Sequence, residues 1–131
     1  MRSRRAAAGL LLAGVVAFAA LNVVETVRRS WIPSAVDGTV ESIQVRTEKN
    51  PGVDDVWLVT VDGDTDHVDA EVGRRLAEGD MVSKAAGATT LQVNGRAVPL
   101  QLSRDARGML VVMPLVVVLA AMASRATRPP R

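Results

Sequence analysis

Two uncharged aliphatic blocks, one near each end of a 131-residue chain, constrain this sequence more than anything else in it. Residues 6–24 read AAAGLLLAGVVAFAALNVV, with Asn22 the one polar side chain. As a helix at roughly 1.5 Å per residue this block is about 28 Å long, close to the ~30 Å hydrocarbon thickness of a bilayer. Residues 108–123 read GMLVVMPLVVVLAAMA, a shorter run that Ser124 and the long stems of Arg107 and Arg125 extend toward the interfaces. Both are read as spans: residues 6–30 with a juxtamembrane extension, and residues 108–124. The chain is 48% hydrophobic but only 2% aromatic, because so much of its apolar content is aliphatic and gathered in these blocks.

The charges are sorted around the blocks. The tails, residues 1–5 and 125–131, hold Arg2, Arg4, Arg5, Arg125, Arg128 and Arg131 and no acid. The segment between carries the other ten of the 16 basic residues and all 14 acidic ones, so it is net −4 within a chain of net +2. Positive charge beside a span is retained in the cytoplasm, which places both tails there and residues 25–107 outside. Two spans also require both termini on one side. Arg28 and Arg29 run against this rule and are partly offset by Glu25. The alternative for the first block is a cleaved signal peptide with Ala17 and Ala19 as its A-x-A site. Its apolar stretch is longer than the usual 7 to roughly 15 residues and runs through that site, so an uncleaved anchor is expected.

Within the first span Gly9, Ala13 and Ala17 recur every four residues and form a small-residue face suited to close helix packing. Pro114 inside the second span is expected to kink it. Trp31 follows the first span by about two turns and reads as an interfacial anchor, with a place in the core of the outer domain as the alternative.

Residues 34–104 form one small domain with the punctuation of an all-β unit. Strands are expected at 39–47, 55–61, 65–69, 81–84, 89–93 and 97–102, with Asp62-Gly63 and Asn94-Gly95 as hairpin turns and a helical turn or two at 71–78. The expected fold class is therefore membrane α-helices plus all-β: two transmembrane helices flanking a small five- to six-stranded β-barrel with one short helical turn. Closure into a barrel would remove exposed strand edges.

The runs GTVESIQV, WLVTVDG, LAEGDMVSK and TTLQVNG resemble the small oligonucleotide-binding-type or SH3-like barrels attached to bacterial membrane proteins. They also look like uncharacterised families in which two spans flank such an extracytoplasmic domain. The likeness rests on the Gly-Thr-Val strand at 38–40, the strand ending in a DG turn at 57–63 and the Gly-Asp-x-Val start at 79–82. It covers about half of the chain and implies a bacterial cell-membrane location. Oligonucleotide binding does not carry over, because the domain is net negative and Trp57 is the one aromatic residue in its strands.

With no cysteine in the chain, disulfides, thiolate metal sites and cysteine nucleophiles are excluded. The densest polar cluster is residues 62–69, DGDTDHVD, in which Asp62, Asp64 and Asp66 are candidate ligands for a weak calcium site. The likeness to a calcium loop fails at its sixth position, where His67 replaces glycine, and at its twelfth, Gly73. Alternate residues of a strand share a face, so a solvated acidic hairpin is the competing reading. His67, the single histidine, lacks the nitrogen or sulfur co-ligands zinc needs. No nucleophile elbow, P-loop or metalloprotease motif is present. The chain reads as a non-enzymatic membrane protein without a cofactor, a scaffold or interaction module of an envelope complex. Its expected partners are the lipid bilayer and another membrane protein or a second copy, and not nucleic acid. The alternative is a ligand- or cation-sensing module working through the acidic loop.

Overall fold

The computed structural model describes residues 2–47 and 55–126, with side chains from Ala6 onward. Met1, Asp54 and the tail from residue 127, with Arg128 and Arg131, lie outside the described residues. Among the described residues two long helices, α1 (Arg2–Arg28) and α3 (Arg104–Ala126), flank six strands and a short helix in sequence. The chain divides into a helical unit and a sheet unit, the latter Val27–Ser103.

Both long helices are long and apolar enough to cross a membrane, over Ala6–Arg28 and Arg104–Ala126. Their large side chains are largely uncovered, with Leu10 74% and Leu21 70% exposed. α3 begins four residues ahead of the aliphatic block because nothing in residues 104–107 breaks it, and Asp105 in its first turn suits the positive end of the helix dipole. It runs through Pro114, whose missing N–H removes one rung of the helical ladder.

α1 ends by tightening. The amides of Ser30 and Trp31 donate to the carbonyls of Val27 (3.2 Å) and Arg28 (3.0 Å), three residues back. The Ser30 hydroxyl also donates to the Val27 carbonyl at 2.6 Å. Trp31 then turns the chain out of the helix with φ of 62°, the left-handed conformation that usually falls to glycine at such an end.

The sheet is antiparallel, in the order β3 (Asp64–Val68), β2 (Val56–Val61), β1 (Val36–Arg46), β4 (Met81–Lys84), β5 (Thr90–Val93), β6 (Arg96–Pro99). Its pivot is β1 (Val36–Arg46), eleven residues long. The first part of β1 pairs with β4 (Met81–Lys84), Val36 opposite Lys84 and Thr39 opposite Met81. The rest pairs with β2 (Val56–Val61) after a register shift between Val40 and Ser42. β2 continues through the Asp62-Gly63 turn into β3 (Asp64–Val68), and β5 (Thr90–Val93) through Asn94-Gly95 into β6 (Arg96–Pro99). All four turn residues have positive φ, as a type I′ hairpin requires. Between β3 and β4 the helix α2 (Ala70–Gly73) is a single turn, shorter than the 71–78 expected from spacing.

Valines dominate the core: Val36, Val40, Val59, Val61, Val68, Val72, Val82 and Val93 pack with Leu76, Leu91, Leu100 and Trp31. β-branched side chains suit a pleated, half-buried surface, which explains how so small a sheet holds together with few aromatics.

The expected barrel does not form. β3 and β6 each have one neighbour and do not meet, so the sheet stays open. β4, β5 and β6 are four residues each, too short to run along the far half of β1 and close the seam. Side chains finish the edges instead. The Glu78 carboxylate accepts from the Ile43 amide at 3.3 Å, and Arg75 donates to the Pro99 carbonyl at 2.9 Å. Asp64 and Asp66 on one edge strand, Arg96 and Pro99 on the other, disfavour pairing with a second sheet.

Candidate functional site

The acidic hairpin is built around β1. Gly38 has φ of 145°, and a side chain there would collide with the Asp62 carboxylate. That carboxylate accepts from the Thr39 amide at 2.9 Å, while the Asp62 amide donates to the Thr39 carbonyl at 3.2 Å. The neighbouring Gly63 amide donates to Glu41 at 3.2 Å. Asp66 is committed elsewhere, accepting from the Trp31 indole N–H at 3.2 Å. Asp64 is exposed. The three carboxylates proposed as calcium ligands are thus not brought to one point. Among the described residues no group of three histidine, cysteine or acidic side chains is placed to hold a metal ion. His67 is half-buried on β3, opposite Leu58 of β2.

Trp31 is not an interfacial anchor: it is 1% exposed and belongs to the core of the sheet unit. The left-handed turn after Ser30 swings the indole inward, where Asp66 supplies its hydrogen-bond partner. Trp57, also packed against the core, lies over Gly73, and any side chain at Gly73 would run into its ring.

On α1 the less exposed side chains are Ala8, Leu12, Val15, Ala19, Asn22, Val23, Thr26 and Val27, a stripe at helical spacing. The small-residue face expected to pack, Gly9, Ala13 and Ala17, is exposed, and nothing lies within 4 Å of where a Cβ at Gly9 would be. An open apolar groove within the helical unit is lined by Leu10, Leu11, Gly14, Val15 and Phe18 of α1 with Val116 of α3.

Two polar clusters were not foreseen from the sequence. In the first, Asp80 accepts from the Ala77 amide and from the Asn94 side chain, both at 2.8 Å, and Asn94 accepts from the Met81 amide at 2.8 Å. This fastens the chain after α2 to the β5–β6 turn. In the second, Lys84 is 7% exposed and its Nζ lies against four backbone carbonyls: Trp31 (2.9 Å), Ile32 (3.0 Å), Ser34 (2.6 Å) and Ala85 (2.9 Å). Burial lowers the pKa of this ammonium from its usual 10.5. The signal for Lys84 lay in the alternation of β4: Met81 and Ser83 point out, Val82 and Lys84 in.

No family model matches this chain. Neither the curated proteins nor the solved structures contain a match to it. The polar side chains at these points, Asp62, Glu78, Asp80, Lys84 and Asn94, are engaged with backbone groups, an arrangement that positions segments of chain.

Proposed function

We propose that this chain is a two-span protein of the bacterial cell membrane that works as a non-enzymatic scaffold or interaction module of an envelope complex. Its sheet unit faces outward and both termini are cytoplasmic. The observation that carries this reading is the uncovered face of α1: Gly9, Ala13 and Ala17 stay exposed while a different stripe of the same helix is the less exposed one. In a bilayer, helices associate through close van der Waals packing rather than through a hydrophobic gain, and small residues are what permit it. A second span-length helix, the acidic middle segment between two basic tails and the likeness to two-span families support the membrane placement.

The partner is another membrane protein or a second copy. Purified in mild detergent, the wild-type chain is expected to bring down a stable membrane partner or to self-associate, and Ala13→Leu to abolish that association while leaving the sheet unit folded. A homogeneous wild-type monomer, unaffected by Ala13→Leu, would sink the proposal. Cation sensing through residues 62–69 has less support, because Asp62 and Asp66 already serve Thr39 and Trp31.

A further inference from the structure

The four carbonyls around Lys84 form an unusual surrounding for a charged side chain. Three belong to the short segment leaving α1, those of Trp31, Ile32 and Ser34, and the fourth to the adjacent Ala85. No carboxylate is among these four partners. An ammonium has three N–H donors, so four acceptors at 2.6 to 3.0 Å require at least one proton to be shared. The arrangement resembles coordination of an ion more than a set of directed hydrogen bonds. Rings of backbone carbonyls replace the hydration shell of potassium in the same manner.

The segment has reason to need such an ion. Just past the end of α1 the carbonyls of Trp31, Ile32 and Ser34 turn toward one point, and buried carbonyls without donors destabilise a fold. Amides cover part of the demand: Ser34 donates to the Trp31 carbonyl at 3.1 Å and Gly87 to that of Ile32 at 2.8 Å. The remaining negative potential converges on Nζ. A guanidinium is planar and wide, and its fork suits two parallel acceptors rather than a closed cluster. In a chain with 16 basic residues, 14 of them arginine, the cage holds one of the two lysines.

We propose that this carbonyl cage is a monovalent-cation site of potassium size that the chain fills with its own ammonium, and that the internal ion fastens the segment leaving α1 to β4. Lys84 is then a positioning residue. Removing it leaves a cage that a free potassium ion can enter.

The test uses the full chain in detergent. Lys84→Ala is expected to lower the thermal midpoint by several degrees. It should also raise hydrogen exchange at the amides of Ser34 and Gly87, while those of β5 and β6 change little. Potassium chloride should restore both readouts, and choline chloride at the same ionic strength should not; the wild type should respond to neither salt. Unchanged exchange at Ser34 and Gly87, or equal restoration by the two salts, would overturn the proposal. If Lys84→Ala does not fold, reductive methylation of the wild type decides. The Lys84 amine should resist modification in the folded chain and react readily in urea, and equal reactivity in both states counts against the cage.

Discussion

Trp31 and Lys84 explain each other. A tryptophan with φ of 62° is strained by on the order of 1–3 kcal/mol, and such a conformation persists only where its surroundings over-determine it. Here the indole is buried in the core and hydrogen-bonded to Asp66, and the Trp31 carbonyl is one of the four held by Lys84. The charge of Lys84 in turn has a definite effect on pH dependence. Burial puts its folded pKa below the 10.5 of an ordinary lysine, since the four carbonyls offset only part of the hydration the ammonium gives up, so between those two values the unfolded chain binds more protons than the folded one. Stability should be flat with respect to this group below the lowered pKa and should rise with pH through that window, levelling near 10.5. Urea titrations of the wild type and Lys84→Met across alkaline pH should show this upward contribution only in the wild type.

At the scale of elements, the hairpins and the pivot strand set the architecture. Gly38→Ala is expected to destabilise the sheet unit by more than about 1 kcal/mol, since φ of 145° is foreign to alanine and its Cβ would displace Asp62 from the Thr39 amide. Pairing it with Asp62→Gly should cost less than the sum of the two single changes, measurable in a double-mutant cycle by chemical denaturation. The strands and both type I′ turns were legible in the sequence, because β-branched runs and the DG and NG pairs are local signals. Closure was not, since whether β3 meets β6 depends on strand lengths and pairings set by distant residues. α2 came out short: its residues pack beneath Trp57 at Gly73, a tertiary contact that helical spacing does not encode. For the candidate site, the alternation of β4 was readable but the carbonyls awaiting Lys84 were not. They depend on a left-handed turn taken by tryptophan, which no local signal marks. The same turn buried a residue whose position after a span suggested a lipid interface.

At the scale of the whole molecule, the separation of charge along the chain carries the strongest testable consequence. The chain has no cysteine, so single introduced thiols report topology without background. With Gln92→Cys, at an exposed position of β5, a membrane-impermeant maleimide should label intact cells or spheroplasts. With Ser3→Cys, labelling should appear only after permeabilisation. The opposite pattern would invert the orientation, and labelling of both from outside would remove the two-span arrangement. Two compact units of different composition, one aliphatic and helical, the other a valine-rich sheet, also imply that mutations in one should seldom disturb the other.

The burial of Trp31 gives this protein a built-in optical reporter. The chain has two tryptophans and no tyrosine, so replacing Trp57 with phenylalanine leaves Trp31 as the single tryptophan emitter. That emitter sits at the exit of α1, touching Asp66 through its indole and lending its carbonyl to Lys84. Its emission wavelength and its quenching by acrylamide would follow the state of this junction in a bilayer, with no dye attached.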